Sequence, residues 1–287
     1  MSPARDGWKV GEVSITPVIE LDMPTTADFI LPDATPENVA PHAEWLRPHF
    51  VDDEGLLKLI VQALLVESRG QKIIVDTCIG NDKVRPIPDW SGMKTPFLAD
   101  ISAAGFPREE VDLVVCTHLH VDHVGWNTMK EGDAWVPTFP NARYLFTRPE
   151  WDYWSQEDDQ FFGDVVGDSV RPIFDARLAD LVDPTHKITP ELRFEPTPGH
   201  TPGHSSIAIS SGAEEAVITG DLMHHPSQCA HPDWASSADV NPELGRTTRR
   251  KFLERYADRD VRVIGTHWAR PTAGYIRSDG DAWRFVV

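Results

Sequence analysis

No apolar run in this chain of 287 residues approaches the roughly 20 positions that a membrane-spanning helix requires. Residues Met1 to Val13 are polar and charged, without the apolar stretch of a secretory leader, so none is expected. Cysteine is scarce. Cys78, Cys116 and Cys229 form no CxxC pair and no even set, which argues against a disulfide framework and suits a reducing, cytoplasmic setting. Basic charge is also in short supply: 27 Lys and Arg stand against 45 Asp and Glu, a net charge of −18. Such a surface repels phosphate backbones, so a nucleic-acid partner is not expected, nor is a membrane. Internal repeats and low-complexity tracts are absent.

Apolar residues make up 40 % of the chain, enough for a sizeable core. Short apolar runs at Leu64-Leu65-Val66, Lys72 to Val75, Val111 to Val115, Ala216 to Thr219 and Val261 to Gly265 read as buried strands. Thr247 to Ala257 places Phe252, Leu253 and Tyr256 at helical spacing, with Thr247 or Thr248 as cap. The run Arg246, Arg249, Arg250 and Lys251 reads as a solvated face of that helix. Strands interleaved with helices predict a layered α/β architecture. The chain is read as one domain, 1–287, with lid-like excursions near 21–54 and 149–190. The second carries Trp151, Tyr153, Trp154, Phe161 and Phe162.

The densest chemistry lies in Thr117-His118-Leu119-His120-Val121-Asp122-His123. Imidazole and carboxylate are the donors that zinc and similar divalent ions take from proteins. An extended chain would turn His118, His120 and Asp122 to one face, with His123 leaving the row where the chain bends. Other reactive residues follow apolar runs: Asp76 after Ile73-Ile74-Val75, Asp221 after Val217-Ile218-Thr219-Gly220, and His267 after Val263-Ile264-Gly265-Thr266. Arg193-Phe194-Glu195 leads through a Pro/Gly turn to His200. In layered α/β folds, sites gather beyond the carboxyl ends of strands. The turn Pro198-Gly199-His200-Thr201-Pro202-Gly203-His204 is stiffened by proline and bent by glycine.

Taken in order, these pieces resemble the metallo-β-lactamase-fold hydrolases, across the chain from about residue 60 onward. The resemblance implies an αββα four-layer sandwich. It implies two divalent metal ions, zinc first among them. His118, His120 and His200 would hold one, Asp122, His123 and His267 the other, and Asp221 would bridge them. Asp76 would orient a ligand histidine, and His204 would support the turn without binding metal. Cys78 stands where the family often has glycine, and reads as a small buried residue rather than a soft ligand.

The implied reaction is attack by a metal-bridging hydroxide on a lactone or small ester, with Asp122 carrying a proton to the leaving group. Asp221 argues against a true β-lactamase and His120 against the diiron oxygen-reducing branch. The basic glutathione region of glyoxalase II is missing. Lactonases that open acyl-homoserine lactones and methyl-parathion-hydrolase-like enzymes remain, so phosphotriester, thioester and β-lactam substrates stay open, as does a degenerate binding or sensing protein. His224 occupies the place of a lactonase tyrosine and is a candidate oxyanion donor. Trp126, Phe139, Trp151, Trp154, Trp234 and Trp268 are candidate pocket walls, with Trp154 and Trp268 expected to govern substrate affinity. The resemblance permits a homodimer.

Overall fold

The computed structural model describes residues 7–25, 30–157 and 162–287. Positions 1–6, 26–29 and 158–161, including Phe161, lie outside the described residues, and with them parts of both expected excursions. Seven strands form the first sheet in the order β1 (Trp8–Val10), β2 (Val13–Thr25), β3 (Leu57–Ser68), β4 (Gln71–Val75), β5 (Leu113–Val115), β8 (Arg143–Thr147) and β9 (Ala179–Val182). A hairpin of β6 (Thr128–Glu131) and β7 (Ala134–Pro137) stands apart. Six strands form the second sheet: β10 (Leu192–Pro196), β11 (Ser205–Ser211), β12 (Glu214–Ile218), β13 (Val261–Ile264), β14 (Ala273–Asp279) and β15 (Ala282–Val286).

The strand sequences dictate this layering. Ile73 and Val75 of β4 enter a cluster with Val115 and Leu145 of their own sheet and Phe194, Ile207, Ile218 and Ile264 of the other. That cluster is the seam between two sheets packed face to face. Ile74 points the opposite way, to Phe97 and Ile101 of helix α1 (Phe97–Ala103). In β12, Ala216 and Ile218 face the seam while Val217 faces Phe252 and Leu253 of the long helix Pro242–Tyr256. Strands buried on both faces read as continuous apolar runs, not alternating ones. The αββα sandwich implied by the sequence is the one observed.

The site depends on strand direction. β4, β5 and β8 pair in parallel, and so do β12 and β13; β10 and β12 both run antiparallel to β11. Their carboxyl ends therefore release Asp76, His118, Asp221, His267 and the turn to His200.

Four expectations need correction. Residues 21–25 extend β2, because its antiparallel pairing with β3 resumes after a register shift at Ile19/Leu21 and continues to Thr25; helical turns at Pro36–Val39, Ala40–His42 and Ala43–Leu46 follow. The 149–190 excursion contains α2 (Arg148–Trp154), further helical turns and β9, which adds a parallel edge strand to the first sheet. The long helix, α3 (Pro242–Tyr256), begins five residues before the expected start. Asn241 caps it through Leu244 N–H, and Pro242 fits the first turn, where no N–H is needed. Arg249 is buried rather than solvated: Nε donates to Leu222 O and Nη1 to Pro232 O and Trp234 O, pinning the loop over the helix.

Ile218 is fully buried in the seam. Ile218→Ala is expected to cost about 2–5 kcal/mol in urea unfolding. A loss below about 1 kcal/mol would contradict the packing described.

Candidate metal centre

The chain leaves β5 at Val115 and coils through His118 to a short helical turn at Val121–Val124. The extended row expected for His118, His120 and Asp122 is thus replaced by a bend, which turns His123 inward as well. Asp76 holds this bend. Its carboxylate accepts from Thr117 N–H and Thr117 Oγ1–H, each at 2.8 Å, and from His123 Nδ1 at 2.8 Å. Asp76 itself has φ +58°, a left-handed conformation that Asp tolerates better than most residues.

Two groups of donors result. One atom each from His118, His120, His200 and Asp221 lies within 4.8 Å of the others, and the same holds for Asp122, His123 and His267. In the first, His120 Nδ1 and His200 Nε2 are 2.8 Å apart. In the second, His123 Nε2 and His267 Nε2 are 3.2 Å apart. Asp221 stands between the groups. Oδ2 is 3.4 Å from His200 Nε2 and 3.8 Å from His118 Nε2, whereas Oδ1 is 3.2 Å from His123 Nε2 and 3.1 Å from His267 Nε2. Asp122 Oδ2 lies 3.5 Å from His267 Nε2.

The outer ring nitrogens decide what these inner atoms can be. His267 Nδ1 is 2.8 Å from Ile60 O, which only accepts, so Nδ1 carries the proton. His123 Nδ1 faces Asp76 and His200 Nδ1 faces Asp239 Oδ1 at 2.8 Å, with the same consequence. In the neutral rings, Nε2 of each is then a bare lone pair. Two such lone pairs, on His123 and His267, face each other at 3.2 Å with a carboxylate beside them. They cannot hydrogen-bond to one another; a proton or a cation must reconcile them. His118 Nε2 and Asp221 Oδ1 are also buried without a hydrogen-bond partner. This donor set, imidazoles oriented by outer partners around a shared carboxylate, fits two divalent ions.

The electrostatics agree. Burial would raise the Asp221 carboxyl, but His123, His267, His224 and His118 hold it well below the usual carboxylate range. Burial lowers His118 and His120, reinforced by their neighbouring rings, and keeps them neutral as ligation requires. Against burial, Asp221 and Asp122 push His123 and His267 up, where a positive charge is most needed.

His204 sits outside both groups. Its Nε2 accepts Asp221 N–H at 2.8 Å and its Nδ1 bonds to Thr197, so it fixes the backbone of Asp221. Gly220 before it has φ +57°, and a Cβ there would meet His204 Nε2 at 2.5 Å. Cys78 is fully buried in the core beside α1. Ser205 and Ser206 are buried and hydrogen-bonded.

A cavity of about 250 Å³ opens over the donors, with Met23, Ile30, Leu59, Trp90 and Phe162 as apolar wall. His224 reaches it, stacked on His267 with centroids 5.8 Å apart. Both its ring nitrogens lack a hydrogen bond, although Nε2 comes within 3.2 Å of Asp221 Oδ2. Of the expected aromatic walls, Trp154 lines an adjoining cleft of about 420 Å³. Trp268 does not. It is fully buried on Phe285, because Gly265 lets its ring lie flat against the backbone. Trp126 and Phe139 are likewise core. Sequence reading missed Asp239, Glu150 and Gln62, whose amide donates to Gly265 O and Thr266 O before His267.

A model of the metallo-beta-lactamase superfamily matches residues 56–267. The chain belongs to this superfamily. The N-acyl homoserine lactonase AttM of Rhizobium radiobacter is 32% identical over 199 residues, 64% of this chain and 64% of the relative. An N-acyl homoserine lactonase of Bacillus cereus is 23% identical over 176 residues, 57% and 64% of the two chains. These matches span just under two thirds of the relatives' own length. Among solved structures, AidC, a dizinc quorum-quenching lactonase, aligns with TM-score 0.78 at 21% identity over 98% of this chain and 96% of that one. The hydrolase AbOPH aligns equally well at 23% identity, with the same coverage. At these identities the alignments establish the shared fold. Among the described residues, no helix is long and apolar enough to cross a membrane.

Beside the cluster, burial pushes His225 down to about 4. Its Nε2 meets Phe50 O and its Nδ1 accepts Ser227 N–H, so the fold needs it neutral. The unfolded chain, with His near 6.5, binds this proton more readily. Stability from this group is complete above about pH 6.5 and declines as pH falls toward 4. Urea unfolding of the chelator-treated protein should therefore weaken across that window, and His225→Gln should flatten the slope. An unchanged slope in the variant would contradict this account.

Proposed function

We propose that the chain is a dinuclear metal hydrolase that opens lactones of the acyl-homoserine type or cleaves small esters. The observation that carries the reading is the facing pair of Nε2 atoms on His123 and His267, 3.2 Å apart, with Asp221 between them and the three-histidine group. Under this reading His118, His120 and His200 would hold one ion, Asp122, His123 and His267 would hold the other, and Asp221 would serve both. Such ions, zinc by preference, polarise a carbonyl oxygen and supply a nucleophile from water near neutral pH.

The protein's own groups do the rest. Asp122 is only half-buried and lines the cavity, where its second oxygen can carry a proton to the leaving alkoxide. His224 leaves Nδ1 without a hydrogen bond while Nε2 faces Asp221 Oδ2 at 3.2 Å, and burial holds the ring below the usual histidine range. A neutral ring there can donate one hydrogen bond to the developing oxyanion, in the role of the lactonase tyrosine. The apolar wall of Met23, Ile30, Leu59, Trp90 and Phe162 excludes water and suits an alkyl or aryl group. The 149–190 segment, which supplies Phe162 and Trp154, acts as a binding wall. Three free, buried cysteines support a cytoplasmic setting. The 32% identity with a lactonase supports the substrate class.

Base uptake by the zinc-loaded protein on acyl-homoserine lactones, simple lactones, an aryl ester and an aryl phosphotriester tests the reading. Lactones should react fastest. If they are inert while the phosphotriester is cleaved, the organophosphate alternative replaces it. Asp221→Ala should abolish turnover and reduce bound zinc; near-normal activity with two ions retained would contradict the bridging role. His224→Phe should lower kcat for lactones about 10²-fold with little change in KM. An unchanged kcat would leave His224 a packing residue.

A further inference from the structure

Glu150 has no counterpart among the groups discussed above. It is the third residue of α2, fully buried, and receives four hydrogen bonds. Oε1 accepts Leu119 N–H at 3.0 Å and Trp154 Nε1–H at 2.7 Å. Oε2 accepts Thr201 Oγ1–H and Gly203 N–H, both at 2.8 Å. Leu119 lies between His118 and His120. Thr201 follows His200, and Gly203 closes the same turn. Trp154 packs its ring edge-on against His120, with centroids 5.3 Å apart. One carboxylate thus touches the backbone or neighbour of all three histidines of the first group, and no residue of the second.

The approach is close. A Cβ on Gly203 would lie 2.2 Å from Glu150 N, so only glycine lets the turn sit on the start of α2. Thr147 Oγ1 donates to Gly203 O at 2.8 Å, adding a contact from the end of β8. The turn has a separate tie to the first loop, Ser205 N–H to Thr117 O at 3.0 Å. Loss of the carboxylate therefore leaves the two loops joined, but removes what sets their spacing next to His120 and His200.

We propose that Glu150 is a positioning residue that sets the affinity of the three-histidine site for its divalent ion, and does not act on the Asp122–His123–His267 site. This rests on the dinuclear reading above. Glutamine is the informative substitution. Its single carbonyl oxygen can serve one pair of donors, while its NH₂ would confront the other pair, so shape is retained and the clamp is broken.

The experiment is competitive Zn²⁺ titration of the stripped protein against a chromophoric chelator, with circular dichroism as a check on folding. Wild type should take up two Zn²⁺. Glu150→Gln should weaken one of them about 10–100-fold, the size typical when an orienting partner is lost, and leave the other unchanged. If Glu150→Gln does not fold, the double change Thr201→Val with Trp154→Phe removes one donor from each oxygen and should show the same one-site loss. A folded variant with both affinities unchanged, or both lowered equally, overturns the inference alone. Fewer than two Zn²⁺ in the wild type overturns the dinuclear reading and the inference with it.

Discussion

The structure turns on a constraint of imidazole chemistry: a neutral ring has one N–H and one lone pair. At His123, His200 and His267 the outer nitrogen is committed to Asp76, Asp239 and the Ile60 carbonyl, and the lone pair is driven inward. Burial of the rings prevents water from relieving the crowding that follows. Without a positive charge among them, these groups oppose the fold that holds them together. The architecture carries that opposition because the two-sheet seam beneath is continuous and fully buried. Stability from ordinary apolar packing is what permits so much polar mismatch at one end of the sheets.

The seam also accounts for the position of the site. Parallel pairing brings the ends of β4, β5 and β8 to one edge, and that of β12 and β13 brings a second set beside it. A strand buried on both faces must stop where a charged residue arrives. Asp76 directly follows the end of its strand, and His118, Asp221 and His267 each stand three residues beyond theirs. The placement of reactive groups is thus a by-product of where burial ends, and the loops add only orientation.

This explains what could be read from the sequence. An apolar run followed by Asp or His is a local pattern, so the strands, the layering and the reactive residues gathered beyond the strand ends were legible before the fold was seen, while their division into two groups came from the family resemblance. Asp239 and Glu150 were not. Each is an acid in a polar or aromatic segment, and its significance comes from a partner 31 or more positions away. Arg249 was misread for the same reason: a charge run marks a solvated helix face unless a distant loop, here 222–234, folds over it. Trp268 looked like pocket wall because it follows His267, but adjacent residues near a strand end point to opposite sides, and its ring enters the core. The 149–190 stretch hid β9 because an edge strand with Asp180 in its centre carries no continuous apolar run.

The central claim of the proposed function is that the inner nitrogens of His123, His200 and His267 are the atoms that take up divalent ions. Long-range proton–nitrogen NMR on the imidazoles, in stripped and zinc-loaded protein, tests it most directly. The account predicts a protonated Nδ1 on His123, His200 and His267 in both states, with their Nε2 resonances shifting when Zn²⁺ is added. Protonated Nε2 atoms that persist in the presence of zinc would contradict it.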